Sequence, residues 1–219
     1  TAPSSDGVTP NTVVTNYDDA HATHTVVLNN GLNTLSTYDA AGRLISVAQT
    51  QAGTALGTTR YRYDADNRLI GTEDPSGVKT WFVYDAAGRR VAQVDGDGAA
   101  VETVYNAAGL AVQTIAYAAR FSSGGFPGQG LDYAPGIGEI RSLAGPDDRK
   151  TWNLYDAAQR LVWQIDAQGY ATRTEYDAHG GIASVTRLAT PVDTAVLGDG
   201  TGFVVGSTSD SGVPATRVP

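Results

Sequence analysis

The sequence contains no cysteine and no methionine. Disulfides and thiolate metal sites are therefore excluded, and a chain that does not begin at an initiator methionine is expected to be processed or part of something longer. Basic residues are also scarce. Against 23 Asp and Glu stand 15 Lys and Arg, a formal charge of -8, which disfavours binding to a phosphate backbone. No apolar run approaches the roughly 18 residues that span a bilayer as a helix, and the N-terminus lacks the basic, apolar and small-residue zones of an export signal. Nucleic acid and membrane insertion are thus set aside. The composition that remains, rich in Thr, Val, Ala, Gly and Asp, is common among large surface proteins of bacteria. A secreted or cell-surface location is the expectation, and 219 residues are enough to bury a core.

What is present is a repeat. YDAAGRL (Tyr38 to Leu44), YDADNRL (Tyr63 to Leu69), YDAAGRR (Tyr84 to Arg90), YNAAGLA (Tyr105 to Ala111), YDAAQRL (Tyr155 to Leu161) and YDAHGGI (Tyr176 to Ile182) are copies of one motif. Tyr17-Asp18 reads as a decayed seventh copy. Successive tyrosines lie 21, 25, 21, 21, 50 and 21 residues apart, so the unit is 21 residues and two gaps carry insertions. A second set of turns lies between the first: Asp74-Pro75-Ser76-Gly77, Asp95-Gly96-Asp97-Gly98 and Asp166-Ala167-Gln168-Gly169. Asp at the first turn position accepts hydrogen bonds from amides two residues on, and Gly takes the left-handed position. This is a type I turn closed by a glycine bulge, a common hairpin connection. Gly42, Gly88, Gly109 and Gly169 are predicted to have positive φ.

Between turns remain about six or seven residues, the length of one strand and too short for a useful helix. The prediction is an all-β fold, an antiparallel meander of ten to twelve strands in 21-residue hairpins, forming a curved sheet. Alternation places Val78, Thr80, Phe82 and Tyr84 on one face and Lys79, Trp81 and Val83 on the other. Trp81 and Trp152, three residues before their tyrosines, therefore face away from them. Over four strands the tyrosine face carries one charge, Arg149, whereas the opposite face carries Lys79, Lys150, Glu102, Arg173 and Glu175. The tyrosine face is accordingly expected to be the covered one. Arg43, Arg68, Arg89 and Arg160 follow their turns and are placed to pair with the turn aspartates across the hairpin. Leu110 and Gly181 replace that arginine in two copies.

These motifs resemble the YD-repeat, or Rhs-repeat, family of bacterial polymorphic toxins, insecticidal toxin-complex subunits and teneurins. The resemblance covers roughly residues 34 to 116 and 146 to 190. It implies a long curving sheet that can spiral into a hollow shell. In toxin members the shell ends in paired Asp-Pro-x-Gly motifs for self-cleavage. Here a single Asp74-Pro75-Ser76-Gly77 stands at an ordinary turn position, so no protease role follows. Ten to twelve strands at about 4.8 Å make a sheet too narrow to enclose a folded toxin, only part of a wall.

The organisation expected is an N-terminal segment (1–33), repeat hairpins (34–116), a Gly-rich and aromatic insertion loop or extended hairpin (117–145), further hairpins (146–190) and a linker-like tail (191–219) with Phe203-Val204-Val205 as its apolar cluster. Phe121, Phe126 and Tyr133 in the insertion are the candidate contacts for a ligand or partner, because loops carry binding and aromatics stack on sugars. The alternative is that they pack back on the sheet. His21 and His24 lack nearby co-ligands for a metal, His179 occupies a turn position, and Asp95-Gly96-Asp97-Gly98 lacks the later ligands of a calcium loop. Tyr and Asp recur too often to form one active site. No catalytic residue, metal or cofactor is assigned. The expected function is a structural scaffold whose partners are further repeats or identical copies, with adhesion to glycan or a cell-surface protein as the alternative.

Overall fold

A computed structural model describes residues 13–28, 30–121 and 130–200. Phe126, the first twelve residues, and the tail from residue 201 with Phe203-Val204-Val205 lie outside the described residues. The fold is all-β, and fourteen strands follow one another in chain order. They are β1 (Val13–Asp18), β2 (Thr23–Leu28), β3 (Leu32–Tyr38), β4 (Leu44–Gln51), β5 (Thr54–Tyr63), β6 (Leu69–Glu73), β7 (Lys79–Tyr84), β8 (Arg90–Val94), β9 (Ala100–Tyr105), β10 (Ala111–Ala116), β11 (Arg149–Tyr155), β12 (Leu161–Ile165), β13 (Ala171–Tyr176) and β14 (Ile182–Arg187). One helix, α1 (Ile137–Arg141), lies in the insertion, and a 3-10 turn covers Thr194–Leu197. The chain divides into two compact units, Thr1–Phe82 with Pro127–Ala134 and Val83–Phe126 with Pro135–Pro219.

The fourteen strands exceed the expected ten to twelve by two, β1 and β2. Residues around Tyr17-Asp18 close a hairpin of their own, with Val13 opposite Leu28 and Asp18 opposite Thr23. The four-residue insertion between Tyr38 and Tyr63 is absorbed by lengthening β4 and β5 to 8 and 10 residues. These meet at Ala52-Gly53, both in the left-handed region at φ 47° and 85°, which joins strands in a two-residue loop.

The turns follow the predicted chemistry. Gly42, Gly88, Gly109 and Gly169 have φ of 77°, 79°, 81° and 87°. Pairing shifts by one residue beside Tyr38, Tyr63, Tyr155 and Tyr176, the bulge that such a turn needs. Two copies carry no glycine there: Asn67 and Gln159 hold the left-handed conformation at 64° and 63°.

The covered face is the reverse of the one expected from charge counting. Trp81, Val83, Ala100, Glu102, Trp152 and Leu154 are buried, all on the face opposite the motif tyrosines, whereas Val78 and Val101 on the tyrosine face are 51% and 43% exposed. Each tryptophan does face away from its own tyrosine. In the second unit Trp152, Leu154, Trp163, Ile165, Ala171 and Leu197 form one cluster, Leu197 being brought over the sheet by the 3-10 turn. Counting misleads because charges on this face are paired. Glu73 lies 3.7 Å from Lys79 and 3.6 Å from Arg60, and Arg173 meets Glu175 at 2.9 Å. A paired charge tolerates a cover that an isolated one would not.

Candidate functional site

The structure is most repetitive at the YD turns, and that repetition sets what they can do. In four of the turns, those of Asp39, Asp64, Asp85 and Asp156, the aspartate spans the hairpin with both oxygens. Asp85 Oδ1 accepts from the amides of Ala87 and Arg89, each at 2.9 Å, and Oδ2 accepts from Arg89 Nε at 2.7 Å. Asp39 with Arg43, Asp64 with Arg68 and Asp156 with Arg160 repeat the arrangement at 2.7–2.8 Å. These carboxyls are held below their ordinary range. For Asp39 the amide of Arg43 leads; for Asp64, Asp85 and Asp156 burial opposes the shift and is outweighed by the arginine's amide and guanidinium.

The same arginine then reaches the next repeat. Arg43, Arg89 and Arg160 place their guanidinium carbon 5.2, 4.6 and 4.6 Å from the ring centres of Tyr63, Tyr105 and Tyr176. The tyrosine hydroxyl returns a bond to the residue just after the previous turn: Tyr105 to Arg90 O at 3.2 Å, Tyr155 to Ala111 O at 3.0 Å and Tyr176 to Leu161 O at 2.9 Å. Tyrosine, aspartate and arginine thus form a clamp that closes one hairpin and fastens the next. In the copy with Asn106 and Leu110, the backbone half survives: Asn106 Oδ1 still accepts from Leu110 N at 2.9 Å. Asp and Arg have been lost there together, which leaves no unpaired charge.

The insertion is fastened to the covered face by a buried carboxylate. Glu102 is 1% exposed, and Arg141 of α1 donates to its Oε1 from Nε at 2.9 Å and Nη2 at 2.6 Å. Tyr117 donates its hydroxyl to Oε2 at 2.5 Å. Burial, then the bond to Glu102, pushes the Tyr117 hydroxyl well above its ordinary range, and the carboxylate raises the Arg141 guanidinium further. Asp148 closes the base by accepting from Ala118 N at 3.0 Å and Gly145 N at 2.9 Å. Glu102 was legible in sequence only as a strand charge, since its partners stand 15 and 39 residues away.

These repeated clamps are matched by a known family: the RHS Repeat family fits residues 38–79 and 63–100. Residues 38–100 are matched as Rhs repeats. No curated protein matches the chain. Among solved structures it is similar to TcdB2-TccC3-Cdc42, with 14% identity over 83% of this chain and 12% of that one, at a TM-score of 0.36. TcdB2-TccC3-TEV gives 16% identity over 76% of this chain and 12% of that one, at a TM-score of 0.36. The Photorhabdus luminescens Tc holotoxin pore gives 15% identity over 80% of this chain and 13% of that one, at a TM-score of 0.26. The chain spans about an eighth of the length of these structures, 12–13%.

Of the candidate contact residues, Phe121 and Tyr133 are half-buried, with Phe121 N donating to Gly98 O at 3.1 Å and Tyr133 N to Gly130 O at 3.1 Å. They belong to different units of the chain. His21 Nδ1 meets Asp18 Oδ2 at 2.6 Å, and His24 stacks on Tyr17 with ring centres 4.6 Å apart. His179 N donates to Asp177 Oδ1 at 2.8 Å inside its turn. Asp97 pairs with Arg120, and Asp95 Oδ1 accepts from Ala99 N at 2.9 Å, which is turn bonding. Among the described residues no helix is long and apolar enough to cross a membrane, and no group of three His, Cys, Asp or Glu is arranged to hold a metal.

Proposed function

We propose that this chain is a non-catalytic structural scaffold, a stretch of wall in a large secreted or surface-exposed Rhs-repeat protein that builds a shell or fibre. The observation that carries this reading is the clamp. The residues with the most chemistry to offer, Tyr, Asp and Arg, are used at turn after turn to close hairpins and join them. Its partners on this reading are further repeats of the same polypeptide or identical copies. Support comes from the two end strands. Every residue of β1 is exposed, and in β14 Ile182 and Val185 are 65% and 61% exposed. Among the described residues β1 and β14 end the sheet, and strand edges left open in this way are templates for another strand. The test is the mass in solution of residues 1–219 expressed alone: ordered association through the end strands supports the scaffold, and a monomer at all concentrations with a cooperative melt overturns it.

A second reading concerns the insertion. Its base is held by Glu102, Tyr117, Arg141 and Asp148, as a binding loop on a rigid framework would be. Phe121, Phe126 and Tyr133 would then contact glycan or a cell-surface protein. A glycan array read against Phe126→Ala tests it, and equal signals from both proteins refute it.

A further inference from the structure

Successive hairpins of this chain can be compared at one position, the residue standing opposite the next motif tyrosine. Arg43, Arg89 and Arg160 fill it before Tyr63, Tyr105 and Tyr176, each with its guanidinium over the ring. Leu110 fills it before Tyr155, and burial there raises the Tyr155 hydroxyl above its ordinary range. Before Tyr38 the position belongs to Ala22, whose carbonyl accepts from Tyr38 N at 2.9 Å. A methyl group cannot cover the ring as arginine does. The result is a cleft of about 460 Å³ whose lining includes Tyr17, Asp18, Asp19, Thr23, His24 and Tyr38.

We propose that this cleft binds a guanidinium group, the side chain of an arginine presented by another molecule or a free guanidinium compound. Three other junctions of the chain show the chemistry: a planar cation over a tyrosine ring, beside turn carboxylates. A guanidinium suits such a place better than an ammonium because it stacks on an aromatic face while its edge donates hydrogen bonds. The charges lining the cleft agree. Asp18 is taken by His21 and Asp39 by Arg43, whereas Asp19 has no ion-pair partner among the described residues. His24 stacks on Tyr17, which fixes the two rings together in the lining. The volume exceeds one guanidinium and lies within the range of small-molecule sites, so there is room for a whole arginine side chain.

The test is an NMR titration of the full chain with three probes: Nα-acetyl-arginine methylamide, methylguanidinium, and the neutral citrulline analogue of the first. Blocked arginine is expected to shift the amides of Thr23, His24 and Tyr38 saturably, and citrulline to leave them in place. Tighter binding of blocked arginine than of methylguanidinium identifies a peptide arginine as the source, and equal binding a free guanidinium. Tyr38→Leu, which keeps apolar bulk and removes the aromatic face, is expected to weaken binding by about fivefold. Ala22→Arg supplies the cation from the chain itself, on a left-handed backbone (φ 50°) that Ala22 already occupies, and is expected to abolish binding. Saturation by citrulline as strong as by arginine, no saturable shift with either cation, or undiminished binding to Ala22→Arg would each overturn the proposal.

Discussion

Gln159→Gly tests the turn argument at its weakest copy. Gln159 sits at φ 63°, where Gly42, Gly88 and Gly109 sit at 77°, 79° and 81° in equivalent turns. A side chain in the left-handed region costs about 1–2 kcal/mol. Glycine removes that cost but gives the unfolded chain more freedom, which offsets about 0.5–1 kcal/mol. No contact is sacrificed, because the Gln159 side chain is exposed and its amide keeps its bond to Asp156 O at 2.9 Å. The net expectation is a gain of about 0.5–1 kcal/mol, read as a rise of about 0.3–0.5 M in the urea midpoint at unchanged slope. By the same balance the reciprocal Gly88→Gln should lose about 0.5–1 kcal/mol, since nothing lies within 4 Å of a side chain begun there. Asn67, also left-handed, is a poorer probe, since its Oδ1 accepts from Arg43 Nη1 at 2.9 Å. A fall in midpoint for Gln159→Gly, or no loss for Gly88→Gln, would refute the reasoning.

Other outcomes follow from the clamps and the buried carboxylate. Arg141→Ala leaves Glu102 buried with Tyr117 as its remaining side-chain donor among the described residues, and should cost about 2–3 kcal/mol in urea unfolding; Tyr117→Phe should cost about 1–3 kcal/mol, and a neutral result for both would mean water replaces these donors. Arg89→Ala removes both the pair with Asp85 and the cover of Tyr105, so about 0.5–1.5 kcal/mol is expected, with Arg89→Lys recovering only part of it because lysine has no planar fork. Depressed carboxyls at Asp39, Asp64, Asp85 and Asp156 contribute stability that is full above the ordinary carboxylate range, near pH 4, and lost as pH falls through their folded values. Asp95 acts in the opposite sense: burial and its bond with Asp97 raise it, so its contribution is present at low pH and lost as pH rises. Urea midpoints from pH 7 to 3 should therefore fall more steeply in Asp95→Asn than in the parent chain.

The sequence by itself determined the local structure, because a turn depends on a few adjacent residues. Asp, Gly and Arg at fixed offsets specify where the chain reverses, and the 21-residue spacing specifies strand length and pairing order. The closing of each hairpin by Asp and Arg was legible for the same reason. Which face is covered depends instead on residues distant in the chain, and only the tertiary structure decided it. Glu102 counts as a solvated charge until Arg141 and Tyr117 are brought to it, 39 and 15 residues away. Leu197 joins Trp152 and Trp163 only because a 3-10 turn lays it over the sheet. The reach of each arginine to the next tyrosine is likewise tertiary, since the two meet only once neighbouring hairpins pair. Ala22 shows the limit most clearly: in sequence it is one more small residue near a decayed motif, and only pairing with Tyr38 turns its short side chain into a cleft.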